Sequence, residues 1–288
     1  MRRGLGCYGA RHAVIARRRS GQAADDAPAV SRVPASEIVG AGPKAVLIPG
    51  TFSDRRTWLK VVAALSRKFL CLLYDPRGTG DTPDPGTPFA ADELVEDLLG
   101  VMDAAGFERA HLVGHSLGAT VALLAAARNP ARIDRVVAAG PALHVDAYIA
   151  AVLDTWEALA RSDVSDEALH LGLVLPAFGR DAFERLVPAV VDGLKQHPIA
   201  RETILRYVEC DRAQDLRPFA GRVDAAVLVT AGEEDVLTGP GHARAVAAAI
   251  PGAVLEPIAS CGHTPQIERP ADFARLVLSF FERRPLRR

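Results

Sequence analysis

A serine between two glycines is the feature of this sequence that most directly suggests chemistry. It lies in the segment Gly114-His115-Ser116-Leu117-Gly118, which has the Gly-x-Ser-x-Gly form of a tight turn that holds a nucleophilic serine between a strand and a helix. The glycines leave room where larger side chains would collide with that strand and helix. Alone, the pattern also fits a serine at an ordinary helix N-cap. Its place between an apolar run at 110–114 and an Ala-rich helical segment at 117–128 favours a nucleophile.

A serine hydroxyl reacts when a base takes its proton and an acid orients that base. Among the histidines, only His263 lies in a short Gly-containing loop after the last predicted strand, from which it can reach the serine. The acid should end an earlier strand, and Glu233-Glu234-Asp235 follows the apolar run 226–229. Asp235 is the predicted acid because the apolar residues after it can pack and fix its position. Glu234 is the alternative.

The oxyanion formed during attack on a carbonyl needs two backbone N–H donors aimed at one point. Leu117, directly after the serine, supplies one of them at the N-terminus of the predicted helix. Thr51, in the loop after the first predicted strand, is the expected second donor, and Phe52 is the next candidate. Phe52 and Trp156 are also predicted to contact the substrate.

The elements that position these residues are short apolar runs alternating with longer helical patterns. The runs are continuous rather than alternating, as in strands buried on both faces of a parallel sheet; they lie at 45–48, 70–74, 110–113, 135–138, 226–229 and 253–255. Helical patterns fall at about 57–67, 90–105, 117–128, 240–250 and 271–283. Strand–helix alternation predicts an α/β fold with a doubly wound, mostly parallel sheet.

The alternation is interrupted between residues 142 and 220, where the pattern is helical throughout. We expect a helical cap over the carboxyl edge of the sheet, where ligands bind in open α/β folds. The core then comprises residues 41–141 and 221–288. Residues 1–40 show no clear period and start with many arginines, which predicts a flexible tail; a transit peptide and a misassigned start are the alternatives.

Charge and cysteine content limit the partners of the protein. The chain of 288 residues has 34 Lys and Arg against 35 Asp and Glu, and no apolar stretch approaches the length of a membrane span. Nucleic acid and membrane surfaces are therefore not expected partners.

The four cysteines lie far apart, without zinc or disulfide spacing, which predicts reduced thiols and a cytoplasmic location. A monomer or homodimer acting on a small molecule is expected.

Together these motifs resemble the α/β-hydrolase superfamily, and the resemblance extends from about Lys44 to Arg284. The family's motifs match in order as an oxyanion loop, a D-x-R-G-x-G segment, an acid segment and a G-H-x-P-x-x-E-x-P segment; here they lie at Pro49-Gly50-Thr51, 75–80, 232–235 and 262–270. Pro49 replaces the usual histidine, and Ala119 stands where a further glycine is common. The N-terminal hairpin is short or degenerate, so fewer than eight strands are expected.

The resemblance implies that Ser116, His263 and Asp235 form a catalytic triad that hydrolyses a small, mostly apolar ester, lactone or thioester through an acyl-enzyme. It implies no metal and no organic cofactor. Arg55 and Arg56, shortly after the oxyanion loop, are candidates for holding a substrate carboxylate, although two solvated charges are the simpler interpretation. The alternatives from other classes are a cofactor-independent oxygenase or lyase that uses the same triad, and a ligand-binding receptor with little turnover.

Overall fold

Seven strands form one sheet in the computed structural model, which describes residues 33–282. Their spatial order is β1-β3-β2-β4-β5-β6-β7. Only β1 is antiparallel to its neighbour, β3, and all other neighbouring pairs are parallel. The strands are β1 Ser36–Gly40, β2 Lys44–Ile48, β3 Leu70–Tyr74, β4 Ala110–His115, β5 Ile133–Ala139, β6 Ala226–Thr230 and β7 Val254–Leu255.

Ten α-helices accompany the sheet within the described residues. They are α1 Leu59–Leu65, α2 Ala91–Ala104, α3 Leu117–Arg128, α4 Ala147–Arg161, α5 Asp166–Val174, α6 Arg180–Gln196, α7 Arg201–Arg212, α8 Gly239–Ala249, α9 Pro265–Glu268 and α10 Pro270–Glu282. A 3₁₀ turn at Arg55–Trp58 leads directly into α1.

The central strands are mostly apolar because helices cover both faces of the sheet. In β2, Val46 and Ile48 pack in a cluster with residues of α2, α3 and α8, whereas Ala45 and Leu47 pack in a second cluster with residues of α1 and α10. Alternate residues of one strand thus enter two different cores, as strand geometry requires. The predicted doubly wound, mostly parallel sheet is confirmed.

The flexible tail predicted over residues 1–40, by contrast, extends too far along the chain. Residues 36–40 form β1, an edge strand that pairs with β3 from Ser36 opposite Tyr74 to Gly40 opposite Leu70. Most of its side chains are exposed, so the segment has no apolar pattern by which a strand could be recognised. It is a strand because β3 offers unpaired backbone groups at that edge. Residues 1–32 lie outside the described residues.

Four helices, α4 to α7, fall between β5 and β6, within the stretch 142–220 that was predicted as a cap. Helix α6 packs on α5 through a cluster of Val174, Val187 and Val191. The other three helices share an apolar cluster in which Leu153, Trp156, Leu173 and Ile204 are buried. Leu237, from the loop after β6, joins this cluster. The helices therefore pack on one another and also on the loops at the carboxyl end of the sheet.

Candidate active site

Ser116 occupies a strained turn between β4 and α3. Its backbone angles are φ 53° and ψ −121°, a conformation that non-glycine residues rarely adopt. Its amide donates to the carbonyl of Ala139 at the end of β5 (2.8 Å). The turn lifts the serine out of the sheet at the carboxyl edge of the central strands.

The two glycines of the motif are required by contacts between backbones. A Cβ atom on Gly114 would lie 2.2 Å from the carbonyl oxygen of Gly118. A Cβ on Gly118 would lie 2.3 Å from the carbonyl oxygen of Ile48 in β2. Neither backbone can yield without moving β2 or α3, so these positions exclude larger residues.

Asp235 and His263 meet through a direct hydrogen bond at the same edge of the sheet. The imidazole Nδ1 donates to Asp235 Oδ2 over 2.9 Å, and both side chains are buried. Asp235 also accepts from the amides of Leu237 and Thr238 and from the Thr238 hydroxyl. Burial would raise the pKa of Asp235, but the charge of His263 and these hydrogen bonds outweigh it and hold that pKa below its ordinary value.

The other imidazole nitrogen of His263 is available for a proton. Nε2 is buried and makes no hydrogen bond to any described residue, and His263 lines the same cavity as Ser116. Glu234, the alternative acid, is exposed and lies instead beside Gly179 of the cap. The structure thus places Asp235, rather than Glu234, on the histidine.

Two residues that sequence reasoning gave no role hold the histidine loop. His115 Nε2 donates to the carbonyl of His263 (2.8 Å); burial, with the charge of His263 adding to it, lowers the pKa of His115 to about 3, so this ring is neutral. Glu268 accepts from the amides of Gly262 (2.9 Å) and Thr264 (3.2 Å) on either side of the histidine. Glu268 was part of a quoted motif, but only the fold shows what it holds.

The loop after β2 lies directly against the serine. A Cβ on Gly50 would be 3.0 Å from Ser116 Cβ, and Phe52 has a positive φ of 60°. Thr51 and Leu117 line one cavity together with Ser116. The structure therefore brings both predicted oxyanion donors to the serine.

Two neighbouring cavities open around Ser116, and we refer to them as the two arms of the active cavity. Thr51, Ser116, Trp156 and Leu237 line both arms, whose volumes are about 110 and 40 Å³. The larger arm also contains Phe52 and His263, and the smaller one is walled mainly by apolar residues of α4 and the segment before it. The rings of Phe52 and Trp156 meet edge to face with centroids 5.2 Å apart. Both predicted substrate contacts thus line the cavity.

The smaller arm also contains a buried acid that the sequence did not single out. Asp211, at the end of α7, is 6% exposed and lines the cavity with Ser116. It accepts a hydrogen bond from the Thr51 hydroxyl (2.8 Å). Burial raises the pKa of Asp211 to about 7, despite the opposing effects of this hydrogen bond and of the charge of His263. A single acidic residue inside a helical stretch carries no sequence signal that would reveal this position.

Arg55 and Arg56 are paired within the protein. Arg55 contacts the carboxylates of Asp75 and Asp81, and Arg56 contacts that of Asp54. This arrangement matches neither expectation: both arginines are partly buried in ion pairs rather than solvated, and their charges are already paired with carboxylates of the protein rather than left for a substrate.

Within residues 33–282, no three or more His, Cys, Asp or Glu side chains cluster in a way that could hold a metal ion. No helix in this part of the chain has the length and apolar character needed to cross a membrane.

Comparison with known proteins gives the class. The sequence model of the alpha/beta hydrolase fold family matches residues 46–270. The chain is 30% identical over 242 residues to "Putative carbamate hydrolase RutD" of Caulobacter sp. strain K31, covering 82% of this chain and 89% of that protein. It is 29% identical over 249 residues to pyrrolizixenacetamide deacetylase of Xenorhabdus hominickii, covering 84% and 92%.

Among solved structures, the enol-lactonase from Burkholderia xenovorans LB400 superimposes with a TM-score of 0.80 at 30% identity, covering 86% of this chain and 96% of that one. The chain therefore belongs to the alpha/beta hydrolase fold family, and it is an enzyme of the hydrolase class.

Proposed function

We propose that the protein is a serine hydrolase that cleaves a small, mostly apolar ester, lactone or thioester by way of an acyl-enzyme. The observation that carries the proposal is the cavity shared by Ser116 and His263, in which the imidazole donates Nδ1–H to Asp235 and keeps Nε2 unpaired. A base held in one tautomer beside a strained serine is the arrangement that nucleophilic catalysis requires.

In the proposed mechanism, His263 Nε2 takes the hydroxyl proton as Ser116 Oγ attacks the substrate carbonyl. Asp235 keeps the proton on Nδ1 and stabilises the imidazolium that forms. The amides of Leu117 and Thr51 donate to the oxyanion of the tetrahedral intermediate. His263 then gives its proton to the leaving oxygen or sulfur as the acyl bond breaks, and it next activates water to release the acid.

The cavity supports a compact apolar substrate. Its arms are small and are walled mainly by aliphatic and aromatic side chains, among them Ile149, Leu153 and Trp156 of the cap. The names of the similar proteins, an enol-lactonase, a putative carbamate hydrolase and a deacetylase, also support attack on a carbonyl. A cytoplasmic location, a monomeric or dimeric state and the lack of nucleic-acid or membrane partners stay predictions.

The decisive experiment labels the protein with a fluorophosphonate probe and assays p-nitrophenyl esters, lactones and acyl thioesters. The wild type should be labelled at Ser116, and the S116A variant should lose the label and turnover by a factor of about 10⁴ or more. Ser53 lines the same cavity, so S53A is the matched control and should still be labelled. An unlabelled wild type that consumes oxygen would instead indicate the oxygenase.

The acid is tested by a second pair of variants. D235N should lower kcat by about 10⁴, because an amide in place of the carboxylate no longer favours the productive tautomer of His263. E234Q, one residue away and exposed, should keep kcat within about twofold of wild type. The reverse outcome would assign the role to Glu234.

A further inference from the structure

Two polar side chains of the cap reach the active cavity. One lies near the end of α7, and the other lies shortly after that helix. Asp211 and Gln214 both line its smaller arm, together with Thr51 and Ser116. The remaining walls of that arm are largely apolar. Neither residue belongs to the triad or to the oxyanion hole proposed above.

These two side chains connect two separate parts of the core. The Thr51 hydroxyl donates to Asp211 Oδ2 over 2.8 Å, and Gln214 Nε2 donates to the other oxygen, Asp211 Oδ1. Gln214 Oε1 in turn accepts from the hydroxyl of Thr120 over 2.6 Å. We refer to this chain of Thr51, Asp211, Gln214 and Thr120 as the bridge.

The ends of the bridge coincide with the two halves of the oxyanion hole. Thr51 provides one proposed N–H donor from the loop after β2. Thr120 lies in the first turn of α3, the helix that begins at Leu117 and provides the other donor. An oxyanion hole works only if both donors lie about 2.7–3.1 Å from one point, so the distance between loop and helix has to be held.

The bridge keeps an acid buried at a cost in folding free energy. Asp211 is 6% exposed, and its hydrogen-bond donors within residues 33–282 are the neutral side chains of Thr51 and Gln214. Burial raises its pKa to about 7. An apolar residue would fill this position more cheaply, but it could not accept hydrogen bonds from Thr51 and Gln214.

We propose that Asp211 and Gln214 are positioning residues that set the separation of the Thr51 and Leu117 amides, so that the cap completes the oxyanion hole; the inference rests on the serine-hydrolase function proposed above. This effect requires no contact between the substrate and the bridge. Loss of the bridge lets the loop after β2 move relative to α3 and weakens stabilisation of the tetrahedral intermediate more than binding of the substrate.

The test measures kcat and KM for p-nitrophenyl acetate in T51V, T51S, D211A and the T51V/D211A double variant. T51V keeps the backbone amide and the side-chain shape and removes only the hydroxyl. Its matched control is T203V, because Thr203 of α7 also donates its hydroxyl to a core carboxylate, that of Asp84, but it does not line the cavity. Circular dichroism checks that each variant is folded.

We expect T51V and D211A each to lower kcat roughly 10- to 100-fold, the range set by a misplacement of about 1 Å, with KM changed less than about twofold. T51S, which restores the hydroxyl, should recover most of kcat. The double variant should be no slower than D211A, because both substitutions break the same unit. T203V should stay within about twofold of wild type.

Wild-type kcat in T51V, an equal loss in T203V, or multiplicative losses in the double variant would each overturn the proposal. T51V and T51S decide the matter by themselves if D211A does not fold. Fluorophosphonate labelling of the wild type distinguishes failure of the proposed serine-hydrolase function from failure of the proposed bridge. An unlabelled wild type refutes the serine nucleophile, whereas a labelled, active wild type with an unaffected T51V refutes only the bridge.

Discussion

At the scale of residues, the site combines side chains whose ionisation is displaced in opposite directions. Asp235 is held ionised by His263 and by donors from its own loop, whereas Asp211 is pushed toward its neutral form by burial. His115 is held neutral in the same way. Environment rather than residue type therefore favours the ionised form of one carboxyl and the neutral form of the other.

Asp211 makes the stability of the protein depend on pH. Its pKa is about 7 in the folded chain against an ordinary value of 3.8, so between these values the folded state binds more protons than the unfolded state. Stability from this group is therefore lost as pH rises from about 4 to 7 and is constant above that. The loss amounts to at most about 4 kcal/mol, at 1.36 kcal/mol per unit.

The D211N variant removes this titration. The free energy of unfolding of D211N, relative to wild type, should rise between about pH 4 and pH 7 and level off at higher pH, as measured by urea unfolding at a series of pH values. Rearranged hydrogen bonds to Gln214 would add a difference that does not vary with pH. A difference between the two proteins that is flat from pH 4 to pH 8 would show that Asp211 ionises normally.

At the scale of elements, the nucleophile turn depends on how closely α3 approaches β2. The helix begins at Leu117, and the space between Gly118 and the carbonyls of Ile48 and Pro49 is too small for a methyl group. The same close approach brings the loop after β2 against Ser116. The tight contact between α3 and β2 and the position of the loop after β2 beside Ser116 are therefore consequences of the same packing.

A pair of glycine-to-alanine variants tests this contact. G118A should destabilise the protein by about 1–3 kcal/mol or more, because its Cβ would overlap the Ile48 carbonyl. Gly193, inside α6, has nothing within 4 Å of its Cβ position, so G193A should stabilise the protein by about 0.5–1 kcal/mol. Urea unfolding of both variants measures the two effects, and a G118A variant as stable as wild type would contradict the packing argument.

At the scale of the whole molecule, the cap and the core share the cavity between them. Trp156 of α4 is 6% exposed, lines both arms and meets Phe52 of the oxyanion loop. Leu237 from the loop after β6 packs in the apolar cluster of the cap. The space beside Ser116 is therefore bounded jointly by the two parts of the chain.

Removal of Trp156 should lengthen the preferred substrate. In a series of p-nitrophenyl esters, the wild type should hydrolyse acetate and butyrate faster than octanoate, and W156A should move the optimum to longer chains by opening space between the arms. The substitution also costs stability, about 3–5 kcal/mol for a buried tryptophan, so W156F is the milder variant. L171A, at an exposed position of α5, should leave the chain-length profile unchanged; an unchanged profile in W156A and W156F would exclude Trp156 from the wall.

Much of the core could be predicted because its signals are local. The continuous apolar runs predicted the buried strands, and the segment 117–128 predicted for the helix after Ser116 coincides with α3. The edge strand β1 could not be predicted, since exposed residues such as Glu37 carry no pattern and only pairing with β3 makes them a strand. The roles of Ser116, His263 and Asp235 follow from order along the chain and stay proposals until they are tested.

The amino-acid sequence by itself determined the fold class, the nucleophile turn and the order of the candidate triad, because each depends on the types and spacing of nearby residues. Only the tertiary structure decided which acid reaches His263, which residues hold its loop, and that Asp211 and Gln214 of the cap meet Thr51 and Thr120 of the core. Those contacts join residues as much as 160 positions apart. Burial and charge at such contacts arise from packing, which no local pattern of the chain records.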